Sequence, residues 1–303
     1  MKSLVILSIL SAFFLFSCDS ETKNERSKEQ DSAPKIKVFF LAGQSNMDGR
    51  ARAYKLTDED SARLKNAQKN VTLFYNHQKP VPLQPFVASD FLQKKFNAEK
   101  LFGPELFFGI NMSEAYPEEQ IILIKRSRGA MSLYGAWNPE WTIEKARMMK
   151  EDDDPKMYSD FIHYADSILK TMDTSQYEIC GMLWVQGEAD SNKKKHGTAP
   201  AEAYENNLRK LISGVRKEFD VPHLPFIMLQ VGNGKVVEAM KNIAAADKYV
   251  SLIPQEYDTN SVWYYERNPR PIGHYKYESM KKIGRYFFEF YQKDYAGKTS
   301  KNN

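Results

Sequence analysis

The sequence is poor in cysteine, with two among 303 residues. Two cysteines give no disulfide framework to read, and Cys180 lies in a mostly apolar run, which predicts a buried, inert thiol. No two of the five histidines have the spacing of metal ligands, and no glycine-rich phosphate loop follows a strand. We therefore predict no metal site and no cofactor.

The sequence also lacks a large excess of positive or negative charge. The formal net charge of +4 is small for the length, and Lys and Arg are spread along the chain. Proteins that bind nucleic acid typically mass their basic residues in a patch, so we predict no nucleic-acid partner. The chain is instead 42% hydrophobic and 13% aromatic. That composition is enough to bury a sizeable core in one large domain.

The amino terminus differs in composition from the rest of the chain. Lys2 precedes the apolar run LVILSILSAFFLF, which is too short and too badly flanked to be a comfortable membrane span. The run ends at Ser17-Cys18, and a small residue just before a Cys at this place resembles a bacterial lipoprotein signal. In such signals the Cys is lipidated and becomes the new N-terminus. The alternative is an ordinary secretory signal with an incidental Cys.

We therefore expect residues 1–18 to be a lipoprotein signal peptide, and a lipid at Cys18 to anchor an exported protein to a membrane, in the periplasm or at the cell surface. Residues 19–34 are polar and charged with no aromatic, which predicts a flexible tether. Residues 35–295 show no internal repeat and no second composition. They predict one domain, followed by a polar tail at 296–303.

Apolar, β-prone runs alternate with segments of helical spacing from residue 35 onward. We predict strands at 36–42, 121–125, 179–185, 225–230 and 249–253, and helices at 158–172, 202–219 and 275–291. This alternation predicts an α/β fold in which helices cover both faces of a parallel sheet. Reactive groups then gather at the C-terminal ends of the strands. The long, polar stretch 48–105 predicts an insertion over the sheet edge or the site.

The first predicted strand runs directly into Gly43-Gln44-Ser45-Asn46. A serine at the end of a strand is exposed at the rim of the sheet, where a nucleophile would lie. A serine hydroxyl needs a base within hydrogen-bond reach, and the attacked carbonyl needs donors for its developing oxyanion. The same serine would also suit the cap of a helix. Local spacing alone does not decide between these roles.

Two further stretches favour chemistry at Ser45. The block Trp184-Val185-Gln186-Gly187-Glu188-Ala189-Asp190 again ends an apolar run with a polar cluster. Near the C-terminus, Gly273-His274-Tyr275 precedes an amphipathic helix, so His274 is placed to reach back across the sheet edge. The order of serine, polar block and histidine is one that α/β hydrolases use, and such sites are recognised by geometry and role.

Together, GQSNM, WVQGEAD and the late GHY resemble the SGNH-type hydrolases, and most closely the sialate O-acetylesterase-like family, related to carbohydrate esterase family 6. FGPELFFG at 102–109 and RGAMSL at 128–133, followed by Trp137-Asn138-Pro139, add weaker similarity, so the resemblance covers nearly all of 36–290. It implies a three-layer α/β/α sandwich of the SGNH or flavodoxin-like type. It also implies a serine esterase that removes acetyl groups from glycans of the sialate, xylan or pectin type.

The resemblance further implies a role for each matching residue. Ser45 would be the nucleophile, and His274 the general base and later the acid. The oxyanion would be held by the backbone N–H of Ser45, a backbone N–H around Gly129 and the side-chain amide of Gln186. An amide suits that role because it donates without carrying charge. The substrate-binding residues would be Gln44, Asn46, Arg50, Arg128 and Trp137.

These substrate contacts come with alternatives. Trp137 would offer a face to a sugar ring, and Gln44 and Asn46 would shape the turn around the nucleophile. The arginines Arg50 and Arg128 suggest an acidic sugar. The plain alternative is that they are ordinary surface arginines.

One departure from the family pattern concerns the histidine. The family usually has an Asp three residues before it, and this chain has Pro271 there. Three outcomes remain open: a Ser-His dyad with a backbone carbonyl holding the imidazole, a substitute acid, or reduced catalysis. The candidates for a substitute acid are Glu188, Asp190 and Asp258. The alternative for Glu188 and Asp190 is a hydrogen-bonded brace between loops.

Two rival functions share the same fold. One is a noncatalytic glycan-binding lipoprotein, which a test for acetate release separates from an esterase. The other is an esterase for lipid or small-molecule esters, which predicts a long apolar channel for the acyl chain.

Overall fold

The computed structural model describes residues 36–270 and 272–297. The predicted signal peptide, tether and lipidation site Cys18 therefore lie outside the described residues. The strands are β1 (Ile36–Gly43), β2 (Ala51–Arg52), β3 (Val71–Tyr75), β4 (Val81–Pro82), β5 (Phe86–Val87), β6 (Lys100–Phe102), β7 (Ile121–Ser127), β8 (Tyr177–Val185), β9 (Phe226–Leu229) and β10 (Val250–Ile253).

The helices are α1 (Ser45–Asp48), α2 (Asp58–Ala67), α3 (Asp90–Phe96), α4 (Glu105–Ala115), α5 (Ile143–Met149), α6 (Met157–Leu169), α7 (Lys193–His196), α8 (Ala199–Glu218), α9 (Lys235–Ala246) and α10 (Tyr277–Asp294). A short 3₁₀ turn spans Ala53–Lys55. Within the part of the chain that the structure describes, no helix is both long enough and apolar enough to cross a bilayer.

Seven strands form the main sheet, in the spatial order β10-β9-β8-β1-β7-β3-β4. Every adjacent pair is parallel except β3 and β4, which are antiparallel. Five of these strands are the five apolar runs predicted from the sequence. The predicted α/β fold with a mainly parallel sheet is therefore confirmed.

Two consecutive phenylalanines of β1 define the layers of the fold. Successive side chains of a strand point to opposite faces of its sheet. On one face Phe39 packs edge to face against Phe108 of α4 and Tyr291 of α10. On the other face Phe40 packs against Phe161 of α6. Helices thus cover both faces of the sheet, which is the three-layer arrangement, and β1 is buried in the middle of it.

The prediction that 48–105 is a single insertion is wrong in part. This stretch contains β3, which pairs with β7 inside the main sheet. It also contains α2 and β4, and β4 pairs with β3 at the edge of the main sheet. The rest forms a small antiparallel sheet, ordered β2-β6-β5, together with α3. It has its own apolar cluster around Phe96 and Leu101, and Ile272 packs against that cluster. The insertion therefore contacts the loop that carries His274.

The exit from β1 explains why the first apolar run ends at a glycine. Gly43 has a φ of 146°, and a Cβ there would lie 2.1 Å from the Val185 carbonyl oxygen of β8. The next residue, Gln44, donates its N–H to that same carbonyl at 2.9 Å. Because β1 lies between β7 and β8, its C-terminal end is the switch point of the sheet, where ligands bind in such folds. The chain delivers Ser45 to that point.

Candidate active site

Ser45 and His274 meet at the switch point. Ser45 begins α1 and is half-buried, whereas its neighbours on both sides are buried. His274 lies in the loop between β10 and α10, and its Nε2 is 3.0 Å from the Ser45 Oγ. The edge of its ring packs against Phe96, with ring centroids 5.4 Å apart. Two residues separated by 229 positions in the chain are thus within hydrogen-bond distance.

A backbone carbonyl orients the imidazole. The Nδ1 of His274 lies 2.5 Å from the carbonyl oxygen of Ile272. A carbonyl only accepts, so Nδ1 carries the hydrogen, and in the neutral ring Nε2 is then the acceptor for the Ser45 hydroxyl. Among the described residues no carboxylate hydrogen-bonds to His274. Of the three alternatives, this geometry matches the histidine held by a backbone carbonyl.

The surroundings of His274 favour its neutral form. Burial lowers the pKa of His274 to about 4, and the positive charges of Arg50, Lys95 and Arg267 act in the same direction. The hydrogen bond to Ile272 opposes this shift only in part. At neutral pH the ring is therefore unprotonated and able to accept a proton from Ser45.

Gly129 lies beside the nucleophile. A Cβ placed on it would be 3.8 Å from the Ser45 Cβ and 3.5 Å from the Arg50 Nη2. Ser45 opens a helix, where backbone N–H groups have no intrahelical partner. The loop after β7, residues 128–142, thus reaches the nucleophile at the place that the resemblance implies for a second backbone donor.

The prediction that the Gln186 amide donates to the oxyanion is wrong. Gln186 is wholly buried, and its amide nitrogen donates to Asp190 Oδ2 at 2.5 Å and to the Met131 carbonyl at 3.2 Å. Its Oε1 accepts a hydrogen bond from the Tyr204 hydroxyl at 3.1 Å. Both amide hydrogens are therefore engaged inside the protein. Gln186 joins the loop after β8, residues 186–192, to the loop after β7.

Two buried carboxylates fix the loop after β7. Asp190 accepts the backbone N–H groups of Leu133 and Tyr134 at 2.9 and 2.8 Å. Glu151 accepts both the N–H and the hydroxyl of Ser132, at 2.8 and 2.9 Å. Burial raises the pKa of Asp190 to about 7. Asp190 is thus placed as a brace between loops, away from the imidazole, and Glu151 is a brace that the sequence did not reveal.

Three further polar residues link the nucleophile turn to the loop after β8. The Asn46 amide donates to Glu188 Oε1 at 2.6 Å. The Gln44 Oε1 accepts the N–H groups of Gly187 and Ala189, at 3.5 and 3.3 Å. Both Gln44 and Asn46 are 4% exposed. The expectation that Gln44 contacts substrate is therefore wrong, because it holds two loops together, and Glu188 is engaged as a brace.

Of the remaining predicted residues, one is buried and two are exposed. Trp137 is fully buried and packs edge-on against Trp184, with centroids 5.2 Å apart, so the expectation that it faces a sugar ring is wrong. Arg128 is exposed and pairs with Asp154 at 2.6 Å. Asp258 is exposed, and no hydrogen bond within the described ranges joins it to His274. It is therefore not placed as a substitute acid.

A buried polar cluster that the sequence reading missed lies next to the nucleophile turn. The Asp48 carboxylate accepts hydrogen bonds from the Tyr75 hydroxyl at 2.6 Å, the Ser127 hydroxyl at 2.9 Å and the Arg50 Nη1 at 2.6 Å. Arg50 itself is 5% exposed. The expected substrate-binding arginine is therefore mostly buried and already paired.

Lys125 extends this cluster beneath α1. Its side chain is fully buried, its Nζ donates to the Asp48 carbonyl at 2.9 Å, and it pairs with Glu105 at 2.6 Å. Removing one partner of such a buried pair typically costs about 3–5 kcal/mol. The sequence held a signal for this pair. Lys125 ends an apolar strand, and a charge in a buried strand requires a partner, which Glu105 of FGPELFFG could have supplied.

The other reactive side chains lie outside this arrangement. Burial raises the pKa of the Cys180 thiol to about 12, so this cysteine stays protonated. Within residues 36–270 and 272–297, no group of three histidine, cysteine, aspartate or glutamate side chains is placed to hold a metal ion. The Ser45 hydroxyl, by contrast, lies within hydrogen-bond distance of a histidine nitrogen, which is the arrangement that a serine nucleophile requires.

Three solved structures share this architecture. A protein from Arabidopsis thaliana is 19% identical, with a TM-score of 0.58, over 87% of this chain and 100% of that one. A carbohydrate acetylesterase from Xanthomonas citri is 18% identical, with a TM-score of 0.55, over 86% of this chain and 57% of that one. NanS is 15% identical, with a TM-score of 0.58, over 86% of this chain and 98% of that one. At these identities the likeness concerns the fold.

Sequence comparison gives the family. No curated protein matches the chain by sequence. A family model described as a carbohydrate esterase, sialic acid-specific acetylesterase, matches residues 35–293, which is nearly the whole folded part of the chain. The sequence motifs, the parallel sheet and this match agree, and the chain belongs to the family of sialic acid-specific carbohydrate acetylesterases.

Proposed function

We propose that this protein is a carbohydrate O-acetylesterase, which hydrolyses acetyl esters on glycans through Ser45 and His274. The observation that carries the proposal is the 3.0 Å contact between the Ser45 Oγ and the His274 Nε2. The family supports the class of reaction, and the low pKa of His274, about 4, supports its part as a neutral base.

The reaction follows two steps of acyl transfer. His274 Nε2 accepts the hydroxyl proton as the Ser45 Oγ attacks the acetyl carbonyl carbon, and the carbonyl oxygen becomes an oxyanion. The backbone N–H of Ser45 and a backbone N–H around Gly129 donate to that oxyanion. Collapse of the intermediate breaks the ester bond, and His274 gives its proton to the departing sugar oxygen. Water, deprotonated by His274, then releases acetate from the acetyl-serine.

The usual aspartate both orients the imidazole and stabilises its charged form. The Ile272 carbonyl takes over the first of these roles. Its hydrogen bond at 2.5 Å keeps the ring in the correct tautomer and orientation. A carbonyl has no net charge, however, and so it stabilises the imidazolium less than a carboxylate does. The base is therefore available over a wide pH range, whereas the positive charge that it acquires during the reaction is less well compensated.

The polar character of the surroundings favours a sugar over a lipid. Arg50 and Tyr275 line a cavity of about 400 Å³ next to the His274 loop. Most of its other lining residues are of polar or charged type, among them Arg52, Lys55, Glu266, Asn268 and Lys276. Ser45 and His274 do not line this cavity, so it would hold a part of the substrate beyond the ester, where charged side chains suit hydroxyl groups better than a long acyl chain. We propose a glycan of the sialate, xylan or pectin type as the substrate.

The site of action belongs to the proposal as well. The sequence of residues 1–18 supports an exported lipoprotein attached to a membrane through a lipid at Cys18, where it would meet acetylated glycans outside the cytoplasm.

The first prediction tests the nucleophile and the base. Ser45→Ala and His274→Ala of residues 35–303 should lower acetate release from p-nitrophenyl acetate and from acetylated xylan by about 10⁴-fold or more, because each removes one half of the dyad. Acetate is measured enzymatically. Asp258→Asn is the matched control and should keep wild-type turnover, because its side chain is exposed and does not contact His274. Undiminished release by Ser45→Ala would contradict the mechanism.

The second prediction concerns pH. Only neutral His274 accepts a proton, so a pKa of about 4 should place the acid limb of kcat/KM near pH 4, with a plateau up to neutral pH. An ordinary histidine with a pKa of about 6.5 would lose about tenfold at pH 5.5. Acetate release from a neutral ester, followed from pH 3.5 to 7.5, measures the limb. A limb near pH 6.5 would rule out the burial of the base described above.

The third prediction uses Gly129. In Gly129→Ala the new methyl group would sit at ordinary contact distances, 3.5 Å from Arg50 and 3.8 Å from the Ser45 Cβ, so the fold should be kept. The methyl group would nevertheless fill the space beside the nucleophile, and kcat/KM should fall about 100-fold. Gly181→Ala in β8, where the nearest atom is also 3.5 Å away, is the control and should be fully active. An equally active Gly129→Ala would remove this loop from the site.

The fourth prediction concerns the anchor. In a bacterial host, Cys18→Ala of the full chain should move from the membrane fraction to the soluble fraction and lack the mass of the lipid. Cys180→Ala removes the buried cysteine instead and should stay with the membrane. Fractionation followed by mass spectrometry gives the readout. A Cys18→Ala protein that remains in the membrane fraction with an unchanged mass would refute lipidation at this residue.

A further inference from the structure

We propose that Arg50 supplies a fixed positive charge to the oxyanion that forms on the substrate at Ser45, and that Asp48 is the positioning residue that holds Arg50 there. This role rests on the serine mechanism proposed above and goes beyond it, because no part of that mechanism assigns a charged group to the oxyanion.

The guanidinium of Arg50 ends beside Gly129 and Ser45. The Cβ position of Gly129 lies 3.5 Å from the Arg50 Nη2 and 3.8 Å from the Ser45 Cβ. The guanidinium and the Ser45 side chain therefore both lie close to the same point beside the Gly129 Cα, in the loop that is expected to donate to the oxyanion. Arg50 is 5% exposed, and its guanidinium carbon lies over the Phe96 ring at 5.8 Å. Little water reaches this charge, so its field is weakly screened.

Hydrogen bonds hold the Arg50 guanidinium in a fixed orientation. Its Nη1 donates to Asp48 Oδ2 at 2.6 Å and to the Gly49 carbonyl at 2.5 Å, which leaves the Nη2 side directed toward Gly129. The other Asp48 oxygen is occupied by the hydroxyls of Tyr75 and Ser127. A donor that is already oriented does not have to reorganise when charge develops, which is the property that makes an oxyanion site effective.

The site has neither a free side-chain amide for the oxyanion nor, among the described residues, a carboxylate bonded to the histidine. The Gln186 amide is engaged with Asp190 and Met131, so the third, neutral donor of the expected oxyanion site is not available. The histidine has the carbonyl of Ile272 in place of a carboxylate, so its positive form is weakly supported. Of the two charges that develop during attack, the negative one is then the charge that this site can stabilise, and Arg50 is the cation beside it.

A competing role for Arg50 is to bind the carboxylate of an acidic sugar. The two roles differ in what a neutral substrate reports. A carboxylate-binding arginine matters only for acidic substrates and acts mainly on KM. Loss of an arginine that lies beside the oxyanion lowers kcat for every ester, including p-nitrophenyl acetate, which has no carboxylate.

The fifth prediction is therefore made with neutral esters. With p-nitrophenyl acetate and acetylated neutral xylan, Arg50→Gln should lower kcat about 100-fold and change KM by less than about threefold. Arg50→Lys keeps the charge but cannot both bind Asp48 and direct a second nitrogen toward Gly129, and it should lose about tenfold. Arg50→Ala should regain part of its kcat when millimolar guanidinium is added. Asp48→Asn, which keeps the shape of the side chain, should lower kcat and leave KM nearly unchanged.

A pH profile separates this role from a general loss of structure. Three cations lie close enough to His274 to lower its pKa: Arg50, which follows the α1 turn, Lys95 of α3 and Arg267 of the loop before α10. Removing any of them should move the acid limb to higher pH, because a positive neighbour disfavours the charged imidazole. Lys95→Gln is the matched control: it should shift the limb and leave the plateau kcat unchanged, whereas Arg50→Gln should change both.

The outcomes are distinguishable from failure of the serine mechanism. If Ser45→Ala is inactive and Arg50→Gln keeps its full kcat on neutral esters, the role of Arg50 is overturned and the mechanism stands. An effect of Arg50→Gln confined to the KM of acidic glycans would overturn it as well and assign substrate binding instead. If Ser45→Ala stays active, both proposals fall. Thermal unfolding of each variant establishes that it is folded, and Arg50→Lys and Asp48→Asn provide the test should Arg50→Gln not fold.

Discussion

The contact between the end of β1 and β8 is the constraint on which the rest of the site depends. At Gly43 the two backbones lie so close that a Cβ would be 2.1 Å from the Val185 carbonyl oxygen. This close approach turns the chain sharply at the switch point of the sheet, and Ser45 becomes the one half-buried residue in a buried turn. Gln44 then ties the turn to the loop after β8, and Gly129 comes to lie beside the nucleophile. The position of the serine is thus decided by the sheet and not by the loops above it.

Charge is distributed unevenly around this turn. On the side of the histidine a backbone carbonyl holds the ring, no carboxylate among the described residues hydrogen-bonds to it, and three cations lower its pKa. On the side of the nucleophile there are two buried carboxylates, Asp48 and Glu105, each paired with a cation. Negative charge is therefore kept away from the imidazole, and the base stays neutral. The same distribution leaves the site better prepared for an oxyanion than for an imidazolium, which unites the low pKa of His274 with the role proposed for Arg50.

Part of this arrangement follows from the sequence, and part does not. The apolar runs and helical spacing give the layers and most of the sheet, because burial on both faces of a parallel sheet leaves a strong periodic signal. The motifs point to Ser45 and His274, which the fold brings together. β3 was missed because its polar neighbours concealed a short strand, and the residues that bind loops to one another were mistaken for substrate contacts. Gln44 and Gln186 are examples, because a motif fixes residue types, whereas side-chain direction and hydrogen-bond partners depend on packing far along the chain. The Ile272 carbonyl leaves no trace in the side-chain sequence at all.

The small insertion sheet has a consequence for how the enzyme would fail. Its apolar cluster consists of four buried residues, Ala88, Phe96, Ala98 and Leu101, and it supports both the ring of His274 and the neighbouring Ile272. A cluster of that size opens with far less free energy than the main sheet, since local opening scales with the apolar contacts that are lost. Gentle warming would then release the base from its partner while the central strands stay intact. The protein would then lose activity while its main sheet stays folded. On cooling, the insertion would refold and turnover would return.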